Sequence, residues 1–127
     1  MIRSFRGITP SIGENSYIDE SAVVIGDVEM GANCSVWPLT VNRGDSNRSR
    51  IGNETNIQDG SVLHVTHDGE FSPGGVALTI GNQVTVGHKV LLHGCRIGNQ
   101  CLIGMGSIVA DNAIVEDQVM IGSGSLV

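Results

Sequence analysis

The 127-residue sequence predicts an all-β protein: a parallel coil of short strands with a triangular cross-section. Three observations carry this. An aliphatic residue recurs every six positions, the residue four places after it is usually small, and glycine often stands directly after it. Neither the 3.6-residue period of a helix nor the alternation of a half-buried strand fits that spacing.

The six-residue period runs through Ile12, Ile18, Val24, Met30 and Val36, resumes at Ile51, Ile57 and Leu63, and resumes again at Ile80, Val86 and Leu92. One five-residue step leads to Ile97, after which Ile103, Val109, Val115, Ile121 and Val127 keep the spacing. Compact residues such as Ala22, Cys34, Thr55, Ser61, Cys101 and Ser107 stand two places before the next aliphatic one, so an extended segment points both inward. The other residues of each hexad turn a corner. Glycine after the aliphatic residue, as in Ile12-Gly13, Ile51-Gly52 and Ile80-Gly81, is expected to supply unusual backbone angles there. Three hexads close a coil of about 18 residues, and stacked coils bury a column of aliphatic side chains.

Composition agrees with thin, tightly wound layers. Eighteen glycines stand against 3% aromatic residues, so the core is built from Ile, Val, Leu and small side chains. The length and the 40% apolar share suit a single domain over residues 1–127. A net charge of −6 without any Lys/Arg cluster argues against nucleic acid or an anionic membrane as partner. No apolar run reaches the ~18 residues of a membrane span, and the N-terminus lacks the apolar centre of a secretory signal. Cys34, Cys95 and Cys101 form neither a CxxC pair nor an even disulfide set. A cytoplasmic protein is expected, with Cys34 and Cys101 as core fillers.

Two stretches break the repeat. Asn42 to Arg50 is polar where an aliphatic residue is due, and an excursion of roughly eleven extra residues separates His64 from Thr79. Loops on a rigid scaffold often carry function.

All four histidines, His64, His67, His88 and His93, fall near the second break. A lone histidine is more often a surface or satisfied core residue than a ligand. Register alters that balance. His64 follows Leu63 and His93 follows Leu92, so both hold the same corner position. With the excursion confined to one side of the triangle, the two imidazoles stack at about the 4.7–4.9 Å strand spacing and can share a metal. His88 follows Val86 by two and belongs to another side, from which it reaches that metal only across a subunit boundary. Three neutral histidines with one open position form a catalytic rather than a structural zinc arrangement.

The segments Val41-Asn42-Arg43-Gly44-Asp45, Asn56-Ile57-Gln58-Asp59-Gly60-Ser61-Val62-Leu63-His64 and Val86-Gly87-His88-Lys89-Val90-Leu91-Leu92-His93 resemble the motifs of γ-class carbonic anhydrases and their bacterial hexapeptide-repeat relatives. The resemblance covers essentially the whole chain in order. It implies a left-handed parallel β-helix, a hand that the coil itself does not predict because parallel crossovers are normally right-handed. It further implies a homotrimer with Zn2+ between subunits, or Fe2+ or Co2+, held by His64, His93 and the neighbour's His88. Gln58 would orient the metal-bound water or hydroxide that attacks carbon dioxide. Arg43, Asp45 and Asp59 would form an ion-pair network at the boundary, with a purely structural bridge as the alternative. Asn56 is a pocket residue or a rung of a stacking ladder.

The chain departs from the family pattern in two places. Ser46 stands where a proton-transferring glutamate can occur, leaving His67, Asp68 and Glu70 in the excursion for that task. The family's C-terminal helix is absent from this chain, whose repeat continues through Ile121 to Val127. Trp37, the only tryptophan, is an exposed corner or interface residue. Two other functions stay open: acyl transfer or thioester hydrolysis on a CoA substrate, which needs one general-base histidine, and a metal-binding trimer with little activity.

Overall fold

The computed structural model describes residues 1–127 as sixteen short strands and no helix. None of its elements is a helix long and apolar enough to cross a membrane. Every pairing between strands is parallel, and the strands fall into three ladders, one per face of a triangular prism. The hexapeptide repeats wind it as a left-handed β-helix.

One face stacks Tyr17–Ile18, Ser35–Val36, Asn56–Ile57, Thr85–Val86, Leu102–Ile103 and Met120–Ile121. The next stacks the starts of Val23–Met30 and Val41–Ile51 with Val62–His64, Leu91–His93 and Ile108–Val109. The third stacks Ser11–Ile12 and the ends of the two long strands with Leu78–Ile80, Arg96–Ile97 and Ile114–Val115.

The interior is the column that the period predicts. Val24, Val36, Ile57, Leu63, Ile80, Val86, Leu92, Ile97, Ile103 and Val109 are buried, as are Ala22, Cys34, Thr55, Ser61, Val84, Val90, Cys101 and Ser107 between them. Each fully buried aliphatic side chain contributes about 1.5–3 kcal/mol. Cys95 is buried too, and burial pushes its thiol up to about 12. Val127 departs from the expectation: it is half exposed.

Gly13, Gly52, Gly81 and Gly98, each directly after an aliphatic residue, are explained by contact and not by backbone angle. Gly13, Gly52, Gly81 and Gly98 are absent from the left-handed residues, which include Asn15, Asn33, Glu54, Gln83, Gln100 and Gln118 instead. A Cβ on Gly13 would come within 2.4 Å of the Gly31 carbonyl, and one on Gly81 within 2.8 Å of Gly98. Consecutive rungs touch backbone to backbone here, and any side chain would push them apart.

The polar stretch 42–50 is also not a loop. Val41–Ile51 is one continuous strand along Val23–Met30, with Asn42 opposite Val24 and Leu63 in the aliphatic column. Asn42 is 1% exposed, and neither its Oδ1 nor its Nδ2 has a partner. Beyond Gly44 the register shifts: Gly26 faces Gly44 and Val28 faces Ser49, so residues 45–48 bulge out opposite Asp27. Bulges re-aim side chains next to active sites, and this one presents Asp45. The second excursion folds back on itself through antiparallel bridges between Thr66 and Val76 and between Gly69 and Ser72. It returns the chain to Leu78 without disturbing the rungs, and Leu63 pairs with Leu92 across it.

Candidate metal centre

The site begins with two strand ends. Leu63 and Leu92 point into the column, so the next residue on each strand points out, and His64 and His93 are Cα partners on neighbouring rungs. Their ring centroids are 5.0 Å apart with the planes at 69°, and His64 Nδ1 lies 3.1 Å from His93 Nε2. The structure thus brings together the two histidines that register pairs.

Each ring is held from outside by a carboxylate. His64 Nε2 donates to Asp45 Oδ1 at 2.9 Å, from the bulge, and Asp45 also pairs with Arg43. His93 Nδ1 donates to Asp111 Oδ1 at 2.5 Å, and the Thr66 hydroxyl donates to Asp111 Oδ2 at 2.5 Å. Burial alone would raise both carboxyls. For Asp45 the bonds from His64, the Ser46 backbone and Arg43 outweigh it and hold the group at about 2. For Asp111 burial is likewise outweighed, by the Thr66 and His93 bonds, and the carboxyl is lowered. Both are therefore acceptors at neutral pH, and each imidazole must present its proton to its carboxylate.

The consequence is chemical. If both rings are neutral with the outer nitrogens protonated, two lone pairs face each other across 3.1 Å, and a cation between them, proton or metal ion, removes the repulsion. Two nitrogens on one tetrahedral ion at ~2.0–2.1 Å stand ~3.3 Å apart, close to the spacing here. Carboxylate-backed histidines are the usual outer arrangement of metal ligands. The donor set fits a divalent metal such as zinc.

His88 lies elsewhere. It follows Thr85–Val86 on the adjoining face, and its Nδ1 is 3.1 Å from Asp59 Oδ2, both side chains being half exposed. Trp37, Asn56 and Gln58 line the same open groove as His88 and Asp59. Gln58 Nε2 donates to Asn56 Oδ1 at 3.2 Å, and Asn56 Nδ2 donates to Thr85 Oγ1 at 3.1 Å, so Asn56 is both a rung of a short ladder and a groove residue. Trp37 is half exposed and packs at 5.3 Å on Tyr17. Within one chain no three His, Cys, Asp or Glu side chains converge on a metal-sized space. The predicted residues thus form two separate clusters: Arg43, Asp45, His64 and His93 on one corner, Asn56, Gln58, Asp59 and His88 on another.

His67 is exposed in the excursion and makes no hydrogen bond to the imidazole pair. Ser46 contributes its backbone N–H and hydroxyl to Asp45 Oδ1. Asp111 and Thr66 escape sequence reasoning: the five-residue step shortens this coil, so Leu92 pairs with Val109, and Asp111 stands one residue beyond the position that register sets against His93.

The bacterial transferase hexapeptide (six repeats) family matches residues 9–41 and 94–127, and the chain belongs to that family. Within it the chain is γ-carbonic-anhydrase-like. It is 59% identical over 100 residues to Protein YrdA of Escherichia coli (strain K12), covering 79% of this chain and 54% of that one. It is 39% identical over 119 residues to mitochondrial gamma carbonic anhydrase 2 of Arabidopsis thaliana, covering 94% and 42%. The crystal structure of a hexapeptide transferase family protein from Anaplasma phagocytophilum superposes with a TM-score of 0.89 at 39% identity, covering 99% of this chain and 70% of that one. The chain spans about half the length of the curated relatives it matches.

Proposed function

We propose that the protein is a zinc-dependent carbonic anhydrase of the γ class, hydrating carbon dioxide reversibly at sites between the subunits of a homotrimer. The observation that carries this reading is the pair of inner nitrogens, His64 Nδ1 and His93 Nε2, facing each other at 3.1 Å with their outer nitrogens on Asp45 and Asp111. The third ligand is His88 of an adjacent subunit, because one chain supplies only two. A threefold ring brings one subunit's His88 corner to the next subunit's His64–His93 corner and makes three equivalent sites. Zinc held there supplies a Lewis acid that makes water nucleophilic at neutral pH.

This chain's residues do the rest. Gln58 gives its amide N–H to Asn56, which leaves Oε1 to accept from the attacking oxygen and orient it. Asp59 holds His88 as Asp45 and Asp111 hold the other two rings. Arg43 pairs with Asp45 and carries positive charge beside the product bicarbonate. Proton removal falls to His67, an imidazole exposed to solvent on the excursion that leaves the rung beside His64. Iron or cobalt suits the same ligands. A cytoplasmic location belongs to the proposal and rests on three free cysteines.

The test measures metal per subunit, carbon dioxide hydration and thiol release from a CoA thioester on one sample, prepared aerobically and anaerobically. Metal with hydration supports the reading. Metal without hydration leaves a metal-binding trimer, thioester cleavage that survives metal removal points to the acyl-transfer alternative, and a metal-free trimer under both conditions overturns the proposal.

A further inference from the structure

We infer that Asp111, clamped by Thr66, is a positioning residue that fixes the tautomer and rotation of His93 so that Nε2 faces His64. The inference rests on the metal reading above and adds to it a residue one rung beyond the ligands.

Three observations converge. The Asp111 carboxylate makes two bonds of 2.5 Å at once, Oδ1 to His93 Nδ1 and Oδ2 to the Thr66 hydroxyl. Thr66 Oγ1 lies a further 3.4 Å from His93 Nδ1, so hydroxyl and carboxylate flank the same ring nitrogen. The space they occupy depends on Gly94, where a Cβ would stand 3.0 Å from Asp111 Oδ1 and 3.0 Å from Thr66 Oγ1. Gly94 has a φ of +52° and sits in the one five-residue step of the repeat. The backbone is turned and stripped of a side chain at the position that lets these two groups reach the imidazole.

With Asp111 Oδ1 2.5 Å from His93 Nδ1 and its other oxygen taken by the Thr66 hydroxyl, the contact is a hydrogen bond that His93 donates, so the ring proton stands at Nδ1 and the lone pair at Nε2. Removing Asp111 frees the ring to rotate about χ2 and to carry its proton on either nitrogen. Outer partners of this kind change metal affinity by roughly 10–100-fold. Asp111 is more than a third exposed and lies outside the column, so the coil does not need it to fold.

Two measurements on the 127-residue chain test this. The first uses metal-free protein: long-range 15N–1H correlation spectra, taken above the titration range of imidazole, report the His93 tautomer. The wild type is expected as the Nδ1–H form, and Asp111→Ala is expected to shift toward Nε2–H. A wild-type His93 already protonated at Nε2 would overturn the inference whatever the metal does. The second is chelator competition for Zn2+ with the wild type, Asp111→Ala, Asp111→Asn and Thr66→Val. Affinity is expected to fall roughly 10–100-fold in Asp111→Ala and less in Asp111→Asn, which keeps an acceptor. Thr66→Val is expected to lie between the wild type and Asp111→Ala, and metal-free melting temperatures across the set separate any loss of stability from the loss of affinity. Equal affinities would refute positioning by Asp111 while leaving the zinc site standing. If the wild type itself binds no zinc, the metal reading fails, and the tautomer experiment alone decides whether Asp111 orients His93.

Discussion

His64 and His93 are Cα partners on neighbouring rungs, and His64 Nδ1 lies 3.1 Å from His93 Nε2. His88 sits on a different corner with its own carboxylate, Asp59. A site that needs all three must therefore be shared. Neither His64→Ala nor His88→Ala should bind stoichiometric zinc as a homotrimer. Co-expression of the two is expected to recover part of the loading, because each mixed trimer has one boundary where an intact pair meets an intact His88. The check is metal content of the purified mixed species, and a mixture as empty as its parents would refute the shared site.

Asp45 sets an acid limit. Its carboxyl is lowered from 3.8 to about 2 in the folded chain. A depressed carboxylate contributes stability above its ordinary value, and the contribution fades as pH falls through that value toward 2. In metal-free protein, Asp45→Asn is expected to be less stable than wild type at neutral pH, with the two denaturation curves converging in strong acid. A gap that stays constant with pH would mean that Asp45 titrates as an ordinary carboxylate.

Asn42 is a buried amide without a partner between Val24 and Leu63. An unsatisfied buried polar group costs about 1–3 kcal/mol. Asn42→Leu, which restores the aliphatic column, is expected to raise the unfolding free energy by about 1–2 kcal/mol in urea titration. A loss of stability would show that the amide is satisfied in solution.

Glycines of two kinds should respond differently. Gly81→Ala forces a Cβ to 2.8 Å from the Gly98 backbone and is expected to cost about 1–3 kcal/mol. Gly106 has a φ of +69° with open space around it, and its left-handed counterparts on other rungs include Leu39 and Lys89 beside Gly60 and Gly124. Gly106→Asn is therefore expected to cost less than about 1 kcal/mol. Thermal melts of the two variants make the comparison, and similar losses would sink the contact explanation.

Most of the coil was legible because the six-residue period is a local property, repeated often enough to average out exceptions. Val24, Ile57, Leu63 and Leu92 announced the column, and their register announced the stacking of His64 on His93. Glycine was misread for a physical reason: a residue without a side chain signals either a left-handed angle or a close approach, and composition cannot separate the two. Gly13 and Gly81 are close approaches, whereas left-handed corners went to Asn15, Asn33 and Gln83. The polar run after Asn42 was misread because strand continuity there comes from pairing with Val23–Met30 and not from its own side chains.

By itself the sequence determined the repeat, the single aliphatic column and the rungs on which His64, His88 and His93 stand, since all three follow from spacing along the chain. Only the tertiary structure decided what stands behind the rings. Asp45 reaches His64 through a bulge that pairing creates, and Asp111 reaches His93 from the next coil through the room left at Gly94. Contacts between coils depend on where the corners turn, and one shortened corner moves a carboxylate from open solvent to a ring nitrogen.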